Sequence, residues 1–418
     1  MKITIVNTSD IRGGAAIAAL RLFKALREKL PETRMLVMEK LTSTKNITGQ
    51  NSSFWKRIFI RLRFSFELIS VIIRSESKDR WFAFSPANFG QSIANLPEIR
   101  NADIIHLHWI NNGFLSLKGI RKLFDTGKPI VWTLHDMWPF TGGCHYSGSC
   151  TNFMKNCGNC PFLKFPADKD LSFQIHRKKI KIYAHGNISF IAVSNWMAEN
   201  ARKSSIIGKC RIEVIPNPID IDIYKPADML SMRDELGLPR NKFLIISGAA
   251  NLKDKRKGFV FLMQALRQIK ESRPDISESY GLITFGKSSD VFDSPVPVYP
   301  QTYLKDDHSI ARLYQIADVF VLPTLEDNLP GTIMESLACG TPVVAFNTGG
   351  IPDLVDHKAT GYLAELKNVN DLISGIYWVE NHPEIYKIRE NCRRKVIVNY
   401  SPEVITEKYT NFYKSLLK

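Results

Sequence analysis

Two acids, Asp327 and Glu335, lie eight positions apart in "PTLEDNLPGTIMESLACGTPVVAFNTGGIPDLV", residues 323–355. Carboxylates accept hydrogen bonds, so a pair at this spacing suits the hydroxyls of a sugar and a ribose. Between them, Gly331, Thr332 and Ile333 begin a helix whose first amides can donate to phosphate or hydroxyl oxygens. Gly340 supplies the stop of that helix, and Thr341-Pro342 starts a new strand direction. Glu326, directly before Asp327, is its rival for the first acidic position. Upstream, Lys253, Lys255, Arg256 and Lys257 crowd into "LKDKRKGF". Fixed positive charge of this kind stabilises a departing diphosphate. A solvated charge run is the ordinary alternative, but the position between "ISGAAN" and Gly258 favours phosphate.

The front half carries a different set. His135 and Asp136 close an apolar run in "TLHDMWPFTGG", where the imidazole can hydrogen-bond a hydroxyl or simply satisfy local polar groups. Gly13 and Gly14, in the loop from Ser9 to Ala15, permit close backbone approach before a helix start. They do not form G-x-G-x-x-G, and no ribose-binding acid follows, so the dinucleotide fingerprint is missing. Four of seven cysteines fall within residues 141–161, spaced Cys144-x5-Cys150-x6-Cys157-x2-Cys160. Four thiolates ending in C-x-x-C suit a structural zinc ion, with His145 as a substitute ligand. Reduced or redox-labile thiols, an iron–sulfur cluster and disulfides are the other readings. None makes a metal the catalyst.

These groups need elements to position them. "KITIVNT", "ADIIHLHW", "PIVWTLHD", "ISFIAVS" and "RIEVIPNPID" read as strands, mostly buried, alternating with helical stretches such as residues 15–29. The grammar restarts with "KFLIISGAA", the helical "KGFVFLMQALRQIKE", "YGLITFG", "ADVFVLP" and "TPVVAFNTGG". Apolar runs joined by helices indicate parallel sheets covered on both faces. The expected organisation is a first domain over residues 1–218 carrying the Cys-rich insertion, a second over 219–385, and C-terminal helices over 386–418 packing back across both. The three prolines of "PNPIDIDIYKP", residues 216–226, mark a hinge. Ligands of such sheets sit at the carboxyl ends of their strands, so a cleft between the two domains is the expected binding place.

At 418 residues, with 44% hydrophobic and 23% charged residues, the chain is long enough for two full cores. The charge is uneven: +17 over residues 1–218 and −2 over the rest. A basic front half suits an anionic bilayer surface, a phosphorylated substrate or nucleic acid; no nucleic-acid-binding motif accompanies it, and nucleic acid is not expected. The N-terminus lacks a signal-peptide pattern, which leads to a cytoplasmic expectation. Residues 54–74, "FWKRIFIRLRFSFELISVIIR", are too interrupted by charge to span a membrane. They either lie on an anionic membrane or pack their apolar side on the domain's own sheet. The second is expected.

The back-half signature resembles the donor site of the retaining GT-B glycosyltransferases of family four, which read Glu-x7-Glu followed by A-x-G-T-P-V-V. Here the first glutamate is Asp327. "DIRGGAAIAALRLFKAL" is similar to that family's acceptor-side glycine loop, "LHD" to its histidine region, "AVSNWMAE" to its serine-bearing strand end and "VIPNPID" to its crossover. "GAANLKDKRKGF" resembles its basic diphosphate site, with Lys257 matching and Arg256 adjacent rather than several residues earlier. The resemblance extends to bacterial exopolysaccharide (colanic-acid-type) enzymes and so to cell-surface polysaccharide or lipopolysaccharide synthesis. It implies two Rossmann-like domains and transfer from a UDP- or GDP-sugar, with retained configuration and no catalytic metal. The acceptor would be a hydroxyl of a glycan or polyprenyl-diphosphate-linked oligosaccharide at the inner membrane face. Lys257, Asp327, Glu335 and His135 would carry the chemistry. A nucleotide-sugar epimerase or phosphorylase, and a non-catalytic glycan- or nucleic-acid-binding scaffold, are the alternatives.

Overall fold

A computed structural model describes residues 1–75, 77, 81–184, 186–287, 292–301 and 306–417. The chain divides into two compact units, Met1–Asn217 with Thr406–Lys418, and Pro218–Ile405. The segment expected as a third element is thereby shared: the helix Ile385–Tyr400 belongs to the second unit, while the helix Pro402–Leu416 carries the chain back into the first.

In the first unit, among the described residues, seven strands form one sheet. They are β1 (Ile3–Ser9), β2 (Arg34–Glu39), β3 (Ile47–Gly49), β4 (Ile104–Leu107), β5 (Ile130–Leu134), β6 (Ile188–Ala192) and β7 (Arg211–Val214). Their order is β3-β2-β1-β4-β5-β6-β7. In the second unit β8 (Phe243–Asn251), β9 (Tyr280–Lys287), β10 (Val298–Gln301), β11 (Val319–Leu322), β12 (Val343–Phe346) and β13 (Gly361–Ala364) run in the order β10-β9-β8-β11-β12-β13. Neighbouring strands are parallel, with β1 pairing both β2 and β4, and β8 pairing both β9 and β11. Their apolar runs are buried on both faces because helices cover both sides, which is why they read as continuous rather than alternating.

This order fixes where a ligand can sit. The chain leaves β1 and β8 toward one edge of each sheet, then returns to lay β4 and β11 on their other side. Loops leaving β1 and β4, or β8 and β11, therefore diverge and open a crevice at the carboxyl ends of the strands.

The chain divides between its two units at Asn217 and Pro218, inside the proline-rich segment, and Arg393 on the helix Ile385–Tyr400 donates to the carbonyls of Ile221 at 2.9 Å and Tyr224 at 2.6 Å. One feature departs from the sequence reading. The helix Phe54–Ile72 does not bury its apolar side against the sheet. It buries Ile60, Glu67 and Val71, and exposes Phe54, Trp55, Phe59, Leu62, Phe66 and Ile69. Amphipathic periodicity reports that a helix has an apolar face; it does not report which way that face turns.

Candidate active site

In the second unit the basic turn and the acidic loop leave adjacent strands and are locked together by main-chain bonds. Asp254 caps the short turn Lys255–Lys257, its carboxylate accepting from Arg256 N at 3.0 Å. Gly258 follows with φ +66°, and a Cβ there would stand 1.8 Å from the Pro323 carbonyl oxygen, so only glycine lets the turn press against the end of β11. Leu325 N donates to the Arg256 carbonyl at 2.8 Å, and Thr324 Oγ1 does so at 2.9 Å. The result is a charge cluster. Lys257 Nζ donates to Asp327 Oδ2 at 2.5 Å, and Arg256 lies 3.6 Å from the same oxygen while donating to the Glu326 carbonyl at 2.7 Å. The Asp327 side chain meets both cations. Burial alone pushes its carboxyl up, but the Lys257 and Arg256 charges, with hydrogen bonds from Lys257 and Asn328 N, outweigh it and hold the pKa below the ordinary value.

Asp327 is also fixed from behind. Gly350 N donates to its carbonyl at 3.0 Å, and a Cβ at Gly349 would lie 1.9 Å from that oxygen. The "TGG" stretch is thus a backbone clamp on the acid, a role that sequence reading alone did not give it. The helix Gly331–Ala338 starts at Pro330 without a side-chain cap. Ile333 N is committed to the Pro330 carbonyl at 3.1 Å, which leaves Gly331 and Thr332 as the expected amide donors. Glu335 is buried on this helix, and the Tyr314 hydroxyl donates to it over a long 3.5 Å. Gly340 ends the helix at φ +78°.

The first unit places its candidates at the ends of β1, β4 and β5. Gly13 takes φ +92° before the helix Gly14–Lys29, and a Cβ on Gly13 or Gly14 would meet nothing within 4 Å. The glycines therefore leave an open rim rather than avoid a clash. Asp10 pins the loop from below, accepting from Leu41 N and Thr42 N, each at 2.9 Å. His135 does not stand alone. Its Nε2 shares a 2.8 Å hydrogen bond with His108 Nδ1, and the His108 ring lies 4.3 Å from that of His106. His106 in turn shares hydrogen bonds with Thr133 Oγ1 at 2.8 Å and with the Tyr413 hydroxyl at 2.7 Å. Burial pushes His135 down to about 4 and His106 to about 3, and holds His108 well below its usual value, so all three rings are neutral near pH 7. His106, His108 and Tyr413 escaped the sequence reading. The His-x-His alternation at the end of "ADIIHLHW" was the available signal, since residues two apart share a strand face.

Asp136 turns away from this chain. It accepts from Trp109 Nε1 at 2.8 Å, Trp138 N at 2.9 Å and His145 Nδ1 at 2.6 Å. The other ring nitrogen of His145 meets Ser85 Oγ at 2.9 Å. Both nitrogens of His145 are thus engaged, which corrects the expectation of a substitute metal ligand. Cys144, Cys150, Cys157 and Cys160 line one small cavity with Phe84, Phe153 and Ser172. Among the described residues, no group of three or more His, Cys, Asp or Glu side chains is arranged to hold a metal ion. Burial, reinforced by mutual repulsion, raises Cys144, pushes Cys157 up to about 12 and Cys160 up to about 11.

Residues 12–223 match the family profile described as Glycosyltransferase Family 4, and residues 242–381 match one described as Glycosyl transferases group 1. A protein of Escherichia coli K12 named for colanic acid biosynthesis, WcaC, is 24% identical over 79% of this chain and 80% of its own. An Escherichia coli UDP-Gal:alpha-D-GlcNAc-diphosphoundecaprenol alpha-1,3-galactosyltransferase is 25% identical over 60% of this chain and 66% of its own. Among solved structures, sucrose-phosphate synthase of Thermosynechococcus elongatus superposes with a TM-score of 0.67 at 17% identity, covering 100% of this chain and 99% of the other. Anabaena HepE in complex with UDP-glucose gives 0.66 at 16%, covering 99% and 100%. The fold is the two-lobed GT-B type of α/β architecture.

Proposed function

The chain belongs to glycosyltransferase family 4, and on that footing we propose that it moves a sugar from a UDP- or GDP-sugar, with retained anomeric configuration, to a hydroxyl of a glycan or polyprenyl-diphosphate-linked oligosaccharide. The observation that carries this reading is the Lys257–Asp327–Arg256 cluster beside the uncapped start of the helix Gly331–Ala338. Lys257 and Arg256 neutralise the donor's diphosphate, and the Gly331 and Thr332 amides add donors from the positive end of the helix dipole. Asp327 receives hydroxyls of the donor sugar, and Glu335 those of the ribose or sugar. Neutral His135 contacts the sugar as a hydrogen-bonding group, and Gly13 and Gly14 leave room on the acceptor side.

In the transfer, the bond from the anomeric carbon to the phosphate oxygen breaks and the bond to the acceptor oxygen forms on the same face. The acceptor's proton passes to the departing phosphate oxygen, and no divalent metal takes part. HepE bound to UDP-glucose supports a uridine donor, and the galactosyltransferase acting on diphosphoundecaprenol supports a lipid-linked acceptor of cell-surface polysaccharide synthesis. Work at the cytoplasmic face is part of the same reading.

The cysteines serve stability. Cys144, Cys150, Cys157 and Cys160 line one cavity and have the donor chemistry of a structural zinc site. They are not gathered as metal ligands among the described residues, so a zinc ion would have to draw them together.

A panel of UDP- and GDP-sugars, read by ligand-dependent thermal shift and nucleotide release, tests the function. Glu335→Gln is expected to lower turnover about 10- to 100-fold with the best donor, the range for losing a hydrogen bond to a charged group. A protein that neither shifts nor releases nucleotide with any donor refutes the reading.

A further inference from the structure

The helix Phe54–Ile72 presents an unpartnered apolar stripe. Trp55, Phe59, Leu62, Phe66, Ile69 and Ile73 follow one another at spacings of four, three, four, three and four residues, which at 3.6 residues per turn places all six on one side. That side faces outward: Trp55 is 68% exposed, Phe59 58%, Phe66 51% and Ile73 66%. Neighbouring segments extend it. Phe89 stacks on Phe66 at 5.6 Å. Past the helix end, Lys164 N donates to the Arg74 carbonyl at 2.7 Å, which brings Phe165, 75% exposed, alongside.

Within residues 54–74 the exposed charges have one sign. Lys56, Arg57, Arg61 and Arg74 are exposed; at about 100° per residue Lys56 and Arg74 border the apolar side, while Arg61 and Arg57 lie farther round, on the polar side of the helix. The segment's acid, Glu67, is turned inward, where its carboxylate accepts from Ala87 N at 2.5 Å and Phe89 N at 3.1 Å. Gly113 lets the helix backbone come close, for a Cβ there would stand 2.8 Å from Phe64 N. A buried carboxylate and backbone contacts therefore hold the helix on the unit, and its bulky aromatic side is left over. No helix among the described residues is long and apolar enough to cross a membrane.

We propose that this helix docks the protein on the surface of a bilayer carrying anionic headgroups, with the stripe inserted among acyl chains and the flanking cations at headgroup level. An aromatic and aliphatic side bordered by Lys and Arg is the pattern of a helix lying in the membrane interface. Charge complementarity selects the lipid over a second copy of this chain, since two such faces set together would oppose cations to cations. The proposal stands on this surface alone and does not depend on the donor chemistry, so its test separates from the nucleotide-sugar panel.

The test is co-sedimentation of the full chain with phosphatidylcholine vesicles, with and without phosphatidylglycerol. Binding is expected with phosphatidylglycerol, weakening as salt is raised. Phe59→Asp with Phe66→Asp should reduce it at least about 100-fold, and Lys56→Glu with Arg57→Glu and Arg61→Glu at least about 10-fold. These side chains lie outside the core, so an unchanged melting temperature verifies the fold of each variant. Brominated acyl chains should quench part of the tryptophan emission, and Trp55→Phe should remove that quenching. Failure of the wild-type chain to bind anionic vesicles overturns the proposal. So does undiminished binding by the double-aspartate variant, or a wild-type dimer that the same variant dissociates while vesicles stay unbound.

Discussion

Each unit gathers side chains at the carboxyl ends of its central strands, and the two sets have opposite chemistry. After β8 and β11 stand full charges, Lys257 and Arg256 against Asp327. After β4 and β5 stand neutral imidazoles, His108 and His135, linked to each other and backed by His106. The contrast follows what each side is proposed to hold. A diphosphate develops charge as it leaves and needs fixed cations, while hydroxyl groups need donors and acceptors that do not drag ions out of water. The same fold thus supports an electrostatic site and a hydrogen-bonding site without any change in how the strands are laid down.

The contrast breaks hardest at Lys257. Lys257→Ala leaves Asp327 and Arg256 without the central ammonium, and transfer should fall about 100- to 1,000-fold, as for loss of one preorganised charge-stabilising group. Product formation with the best donor from the sugar panel measures it. Activity within a few-fold of wild type would mean that the basic turn is a solvated surface.

Acid separates the units next. His135, His106 and His108 have folded pKa values below the unfolded 6.5, so their contribution is fully present above that pH and is lost as pH falls toward about 4. Glu67, raised by burial, works in the opposite sense at lower pH. Asp327 is depressed below 3.8, so its contribution to the second unit survives until pH falls through that lower range. Calorimetry at about pH 7.5 and about pH 5 should therefore show the first unit losing a few kcal/mol and melting earlier, with the second unit little changed. Equal shifts of both units would dissolve the distinction between neutral and charged sites.

The smallest expected effect concerns the insertion. Cys157→Ser should reduce zinc content, read by atomic emission, and lower the melting temperature by several degrees while leaving donor binding unchanged. An unchanged metal content and melting temperature would leave the four thiols as cavity lining.

Much of this arrangement was legible in the residues. The apolar runs give most of the inner strands, though not β2, and the residues around Glu335 with Gly340 give the helix Gly331–Ala338 and its stop. Short edge strands were missed, β3 and β13 among them, because three or four residues of Ile-Thr-Gly or Gly-Tyr-Leu-Ala type carry too little pattern to separate strand from loop. The histidine cluster was only half visible. Alternation marks His106 and His108 as facing one way, yet nothing local says that Tyr413 arrives at His106 from the far end of the chain. The outward turn of the helix Phe54–Ile72 was hidden for a related reason: its periodicity is the same whether the aromatic side meets a sheet or the surroundings.

The Tyr413–His106 contact also has a bearing on how the protein is made. His106 is translated before the second unit and Tyr413 after it, so the first unit waits, one helix short, while the whole second unit emerges. Its imidazole-bearing strand ends are sealed only once the intervening unit has been made, so a part begun earlier is finished later.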